Sequence, residues 1–271
     1  MLRFPKVTRL PPRNLRFDRV AIILLVLAAA FLSGRGWLAD NPEHDPLAPL
    51  DLRLSRGWAT AAKLAALQND VTECRAVLER SEIAFTALPP TGEGACRRDD
   101  RLMLDDGPLT PGGAQMTCPV AAALAMWAEH DLQPLAEAEL GSQIERIEHV
   151  GTYSCRQIGG GNAGNWSEHA TGNAVDIAAF VLADGQRVSV LNDWGHNKNP
   201  GEIAQPIQDG SADGGPQPAT RTAAAKARFL DRARDTACTN FGTVLSPDYN
   251  AAHADHLHLD QARSPMFSYC R

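Results

Sequence analysis

The hydrophobic pattern divides the chain into one apolar run near the N-terminus and a longer region in which apolar positions recur periodically. The run covers residues 20–32 (VAIILLVLAAAFL), and its length lies between that of a signal-peptide core and that of a full membrane span. No small-residue cleavage site follows it cleanly. The pattern therefore favours a retained anchor over residues 20–38, and a cleaved signal sequence is the alternative.

The region beyond the run predicts a tether followed by one folded domain. Residues 39–53 hold three prolines, which favour an extended segment that would lift the domain of residues 54–271 off a membrane. Apolar positions at helical spacing predict helices in 54–80, 119–132 and 220–238. Alternating or continuous apolar stretches predict strands at 144–155, 175–182, 186–192, 241–245 and 256–261. Helices interspersed with strands in this way indicate an α+β fold, with a mainly antiparallel sheet flanked by helices.

Two stretches of the domain lack such periodicity. Residues 86–116 are rich in Pro, Gly and Asp and predict an irregular connection with one short hairpin. Residues 192–219 form a longer Gly, Pro, Asn and Asp segment. Loops of that length are commonly functional lids or disordered segments.

The distribution of charge predicts the orientation of the chain in a membrane and the class of partner it binds. Residues 1–19 carry six basic side chains and one acidic side chain, and such a basic tail before an apolar run stays in the cytoplasm. This predicts a single-pass inner-membrane protein with its C-terminal domain in the periplasm, or a secreted domain if the run is cleaved. The net charge of −6 and the aromatic content of 6% give no support for a nucleic-acid partner. The pattern leaves the oligomeric state open.

The cysteines agree with export. All six follow the apolar run, at positions 74, 96, 118, 155, 238 and 270. An even number of scattered cysteines in an exported chain predicts disulfides. The pairing stays open, although Cys96 and Cys118 are expected to staple the irregular segment 86–116. The chain has no CxxC pair, which argues against a cysteine zinc ribbon or a thioredoxin-like redox site.

Two histidine clusters carry the candidate chemistry. The first is SEHATGNAVD at residues 167–176, and the second is HADHLHLD at residues 253–260. His256 and His258 differ by two positions, so on a strand both imidazoles would face one side. Asp176 opens an apolar strand, where a carboxylate is costly unless it is paired or metal-bound. A catalytic zinc takes three protein ligands and leaves one position to water, so the two clusters together predict a metal site.

The same residues resemble known families. The pattern SxHxxGxAxD is formed by Ser167, His169, Gly172, Ala174 and Asp176, and HxxHxH by His253, His256 and His258. Together they look like the zinc D-Ala-D-Ala peptidases of the hedgehog/DD-peptidase fold. More closely, YSCR, SEHATGNAVDIAAF, FGTVLSPDYN and HADHLHLD resemble the bacterial extensin-like C-terminal domain family over roughly residues 70–262.

The resemblance implies a zinc peptidase of the D-Ala-D-Ala carboxypeptidase or peptidoglycan endopeptidase type, acting on peptidoglycan peptides. It implies that Zn²⁺ is held by His169, Asp176 and His258. His256 and His253 would then assist the metal-bound water or the transition state.

Two further residues have competing interpretations. Arg156 stands where related peptidases place a substrate-binding arginine, and the alternative is a salt-bridged surface arginine. Some of these peptidases have Glu three residues before the last ligand, where this chain has Asp255. Asp255 is either the general base, with His253 as its competitor, or a structural cap.

A rival function belongs to a different class, namely a non-catalytic, metal-bound module that binds cell-wall material. Function follows the site and not the fold, so the position of the candidate base relative to the metal ligands discriminates between the two.

Overall fold

Most helices and strands follow the hydrophobic pattern in the computed structural model, which describes residues 15–161, 163–195, 222–262 and 269–271. The predicted strand at 186–192 is a strand only over Arg187–Ser189 and continues as a helix over Val190–Asp193. The helices are α1 (Leu15–Asp40), α2 (Thr60–Ala66), α3 (Val71–Arg80), α4 (Cys118–Trp127), α5 (Gln133–Leu140), α6 (Val190–Asp193) and α7 (Ala223–Ala237). The strands are β1 (Phe85–Ala87), β2 (Leu102–Leu104), β3 (Leu109–Thr110), β4 (Ile144–Gly151), β5 (Ala174–Leu182), β6 (Arg187–Ser189), β7 (Thr243–Leu245), β8 (Leu257–Asp260) and β9 (Tyr269–Cys270). Most of the predicted loop 192–219 lies outside the described residues.

The α+β class is confirmed, but the main sheet is mixed. Its strand order is β3-β4-β5-β8-β7-β9, and β6 pairs with β5. The pairs around β5 and between β7 and β8 are antiparallel, whereas β3–β4 and β7–β9 are parallel. This corrects the prediction of a mainly antiparallel sheet. The two parallel pairs involve two-residue strands that no hairpin joins to their neighbours, so no tight turn forces the antiparallel direction on them.

Strand β5 is the centre of the domain. Eight of its nine residues are buried, which is typical of a strand covered on both faces. Phe180 of β5 packs edge-to-face against Trp127 of α4 and Phe229 of α7. These aromatic rings thus hold the sheet against the helices. They fix the position of β5, the strand to which Asp176 belongs.

The segment between α1 and α2 is folded. Turns form at its start, where the amides of His44 and Asp45 donate to the carbonyls of Asn41 and Pro42. Leu50 and Leu52 are buried in the domain core. The expected extended shape is therefore wrong for residues 41–53, because the two leucines gain more from burial than the segment gains from remaining solvated.

Helix α1 is a possible membrane anchor. Its segment Arg19–Asp40 spans 22 residues, includes an 18-residue window with a mean hydropathy of 2.0, and is long and apolar enough to cross a membrane. Its apolar side chains from Val20 to Leu32 are exposed to solvent.

All six cysteines form disulfides, namely Cys74–Cys118, Cys96–Cys155 and Cys238–Cys270. Cys96 and Cys118 thus have separate partners, which corrects the expectation that they staple residues 86–116. Cys118 lies at the start of α4, which packs against α3, so the α3 residue Cys74 is the one within reach. The disulfides are consistent with a periplasmic or extracellular domain.

Candidate metal centre

The predicted ligands come from one turn and two paired strands. His169 lies in a 3-10 turn, Glu168–Thr171, where the Ser167 hydroxyl accepts a hydrogen bond from the His169 amide. Gly172 ends that turn in the left-handed region, with φ of 75°, a conformation that glycine adopts without steric cost. The chain then enters β5. Asp176 of β5 lies directly opposite His258 of β8 in the antiparallel register.

These three side chains form a compact buried group. His169 Nε2 lies 3.1 Å from Asp176 Oδ1, His258 Nδ1 lies 2.9 Å from the same oxygen, and the two nitrogens are 3.0 Å apart. A tetrahedral zinc with bonds of about 2.0–2.1 Å separates its ligand atoms by roughly 3.3 Å. The nitrogen and carboxylate donors fit zinc chemistry, and a small outward shift would match its size. The group could therefore hold a metal ion.

The electrostatics of the group favour a charged carboxylate. Burial disfavours ionisation of Asp176, but the hydrogen bonds to His169 and His258 outweigh it and hold the pKa of Asp176 well below its usual range. Burial also opposes the charge on His258, yet the hydrogen bonds to Asp176 and Asp260 raise the pKa of His258 to about 9. The Asp176 carboxylate thus provides negative charge that attracts a cation. With its raised pKa, His258 is protonated at neutral pH while no metal is bound, so metal binding must displace its Nδ1 proton.

A second layer of partners orients both imidazoles. His169 Nδ1 lies 3.3 Å from the carbonyl oxygen of Thr152. His258 Nε2 lies 2.9 Å from Asp260 Oδ2. A proton on each of these outer nitrogens leaves the inner nitrogen free to bind a metal, and metal-binding histidines commonly have such partners.

Sequence reasoning assigned no role to Asp260 or Thr152. The signal for Asp260 was its spacing of two from His258, which places both side chains on the same face of β8. The other carboxylate oxygen of Asp260 accepts a hydrogen bond from the Ala262 amide at 2.8 Å. Nothing in the local sequence marks Thr152, because it contributes only its backbone carbonyl.

The other members of the second histidine cluster, residues 253–260, lie on one side of the buried His-Asp-His group. Strand β8 begins at Leu257, so Asp255 and His256 lie in the turn before it. His256 Nε2 is 3.6 Å from Asp176 Oδ1, and its Nδ1 is 2.8 Å from Asp255 Oδ1. Asp255 is exposed. The structure therefore brings His256 to the group. Asp255 contacts the opposite nitrogen of the His256 ring from the one near Asp176.

His253 lies beside the same group. Its ring is 5.9 Å from that of His258 and 5.3 Å from that of His256, centroid to centroid. Burial is the main reason that the pKa of His253 is lowered to about 4, and the two neighbouring imidazoles add to the effect. His253 is accordingly neutral at neutral pH.

Arg156 lies on the surface close to this cluster. Its side chain is exposed, and its positive charge is one of the influences that lower the pKa of His253. The adjacent Cys155 is joined to Cys96, which fixes the backbone at this point.

Replacing Asp260 with asparagine should weaken zinc binding by about 10- to 100-fold. The amide NH₂ would face His258 Nε2 and favour the tautomer with its proton on Nδ1, the nitrogen that would bind the metal. The measurement is competitive titration of the apoprotein with zinc. Asp235→Asn, at an exposed position of α7, is the matched control. Equal affinities of the two variants would contradict the role of Asp260.

The geometry thus defines an α+β domain that is cross-linked by disulfides and contains a buried His-Asp-His group that could bind a metal ion. The chain matches the family model described as Extensin-like protein C-terminus over residues 72–214 and 217–271, and it belongs to that family. No significant match was found among curated proteins or among solved structures.

Proposed function

We propose that the protein is a zinc-dependent peptidase acting on peptidoglycan peptides. The observation that carries the proposal is the buried group of His169, Asp176 and His258, with two further histidines facing it. Three protein ligands with one open side are the arrangement of catalytic zinc sites, and structural zinc sites are usually closed by four.

The metal would supply the activation of water. Bound zinc lowers the pKa of a coordinated water to about 7 and polarises a carbonyl oxygen. His169, Asp176 and His258 would hold it, and Asp260 and the Thr152 carbonyl would fix the two imidazoles. The donor set also suits other first-row metals, and zinc is proposed because it accepts this geometry without preference from d-electrons.

His253 is the better candidate for the general base. Its Nδ1 lies 2.8 Å from Asn250 Oδ1, an oxygen that also accepts from the Ala252 amide. Nδ1 therefore donates its proton, and Nε2 is left as an unprotonated acceptor. A neutral imidazole with a free nitrogen beside the metal group can take a proton at neutral pH.

Asp255 is better suited to positioning. Its carboxylate accepts a hydrogen bond from His256 Nδ1, which turns His256 Nε2 toward the metal group. In this arrangement a His256 that carries protons on both ring nitrogens donates from Nε2 to developing negative charge on the substrate, and Arg156 binds a peptide carboxylate at the mouth of the site.

The topology of the chain supports this substrate. We propose that α1 is retained in the inner membrane and that the domain lies in the periplasm, where peptidoglycan is within reach. The apolar length of Arg19–Asp40, the basic residues before it and the three disulfides after it all favour this orientation.

The test is release of peptides from purified peptidoglycan by the full chain, before and after chelation and after zinc is restored. His253→Gln should lower the turnover rate by about 100- to 10,000-fold while zinc content stays near one per chain. Asp255→Asn should have a smaller effect, because it disturbs only the orientation of His256.

Two results would contradict the proposal. Undiminished release by the His253 variant would remove that residue as the base. Stoichiometric zinc without any peptide release by the unaltered protein would favour the rival function, a metal-bound module that binds cell-wall material without cutting it.

A further inference from the structure

The end of α1 is connected to the domain by an aromatic cluster of Trp37, His44 and Trp58. The Trp37 ring stacks on His44 at 5.1 Å between centroids, and Trp58 lies 4.6 Å from His44 and 5.4 Å from Trp37. Trp37 belongs to the final turns of α1, whereas Trp58 lies just before α2. The cluster therefore brings a side chain of the domain to the end of the apolar helix.

Polar contacts fix the cluster. The Trp58 amide donates to His44 Nδ1 at 3.1 Å, and Lys63 Nζ donates to the Pro42 carbonyl at 2.9 Å. The backbone of Gly57 lies so close to Glu43 that a Cβ at residue 57 would overlap with the Glu43 carbonyl group. Trp58 is thus held in place relative to the end of α1, in contrast to a residue on a free linker.

The cluster is nevertheless largely open to solvent. Trp58 is 77% exposed and Trp37 is 43% exposed, and Leu47 in the same segment is 83% exposed. Burying large apolar side chains away from water is favourable, and Trp37 and Trp58 are left uncovered at the end of α1, with Leu47 uncovered in the segment that follows.

The length of α1 indicates what covers them. The 22 residues of Arg19–Asp40 extend over roughly 33 Å at 1.5 Å per residue, close to the ~30 Å hydrocarbon core of a bilayer. Trp37 would lie at the far boundary of that core, where indole rings are enriched because their apolar body and N–H group suit the headgroup region. The ring of Trp58 lies 5.4 Å from the ring of Trp37, centroid to centroid, so Trp58 would lie near the same boundary.

We infer that Trp37, Trp58 and Leu47 form a membrane-docking surface, which seats the domain on the lipid headgroup layer. The inference rests on the proposed role of α1 as a retained anchor. Its partner is the bilayer interface itself.

The test uses the full chain reconstituted into phosphatidylcholine vesicles that carry bromine near the glycerol end of the acyl chain. Bromine quenches nearby indole fluorescence. The chain has five tryptophans, and only Trp37 and Trp58 should be quenched. The variants Trp37→Phe and Trp58→Phe should each lower the quenchable emission by about half, since each removes one of two indoles at the interface. Trp166→Phe is the matched control, because Trp166 is 46% exposed on a loop of the metal centre.

The outcomes distinguish insertion of α1 into the bilayer from docking of the domain on its surface. Loss of quenchable emission in both the Trp37 and the Trp58 variants, with none in the Trp166 variant, supports docking. Loss in the Trp37 variant alone would show an inserted helix with the domain lifted away, and would overturn the inference while the anchor stands. Absence of quenching in every form, with the protein washed from the vesicles, would overturn both.

Discussion

Under the proposed function, replacing His258 with alanine is expected to reduce the zinc content from about one ion per chain to below roughly 0.1, and to abolish peptide release. His258 contributes one of the three inner atoms of the group and lies opposite Asp176 in the sheet register. Without it two ligands remain, and Asp176 and Asp260 lose a shared hydrogen-bond partner. The measurement is elemental analysis of the purified protein, with peptidoglycan digestion assayed in parallel.

Two further variants separate metal loss from unfolding. His258→Gln keeps a side-chain amide that can donate to one of the two carboxylates, yet it is not a zinc ligand of choice, so it should also lose the metal while remaining folded by circular dichroism. His149→Ala removes an imidazole of β4 whose Nε2 hydrogen-bonds to the Pro111 carbonyl, away from the three inner atoms of the metal group, and it should retain zinc. Full hydrolysis by His258→Ala would end the proposed mechanism.

Truncating Trp127 to alanine should lower the free energy of unfolding by about 3–5 kcal/mol. Trp127 is fully buried and packs edge-to-face against Phe180 of β5 and Phe241 ahead of β7. Its Nε1 donates to the Thr236 hydroxyl at 3.0 Å. Removal leaves a cavity among α4, α7 and the sheet and takes away one hydrogen bond to the Thr236 hydroxyl, which still donates to the Ala233 carbonyl. Urea unfolding with the disulfides intact measures the loss.

Trp166→Ala is the control for this prediction. Trp166 is half exposed in the loop that precedes His169, so its loss should change stability by no more than about 0.5 kcal/mol. A similar destabilisation by both variants would show that Trp127 is not the centre of the core that supports β5.

Local periodicity explains which parts of the fold were predictable. The helix now seen as α7 and the strand β5 follow from apolar spacing alone, since each has a long pattern that one structure satisfies. Within the metal group, the separation of two between His256 and His258 predicted a shared face, and the structure brings both to Asp176. The membership of the extensin-like family, expected from the same motifs, is confirmed.

Long-range pairing explains what sequence reasoning missed. The partners of Cys96 and Cys118 depend on how α3 packs against α4 and on where the loop after β4 lies, which no local pattern encodes. The parallel pairing of β3 with β4, and of β9 with β7, likewise depends on strands that are distant in the sequence. The burial of Leu50 and Leu52 turns a proline-rich segment into part of the domain, and composition alone favoured an extended chain there.

The strand order determines at what stage of synthesis the chain can form the metal group. Strand β8 lies between β5 and β7, although it follows both in the chain, and it brings His258 to an aspartate 82 residues earlier. A polypeptide delivered N-terminus first cannot complete the metal group until residue 258 has emerged, because the third ligand and the strand that positions it arrive together. Under the proposed function, hydrolytic capacity would therefore arise as a late event of biogenesis, after α1 has been delivered to the membrane.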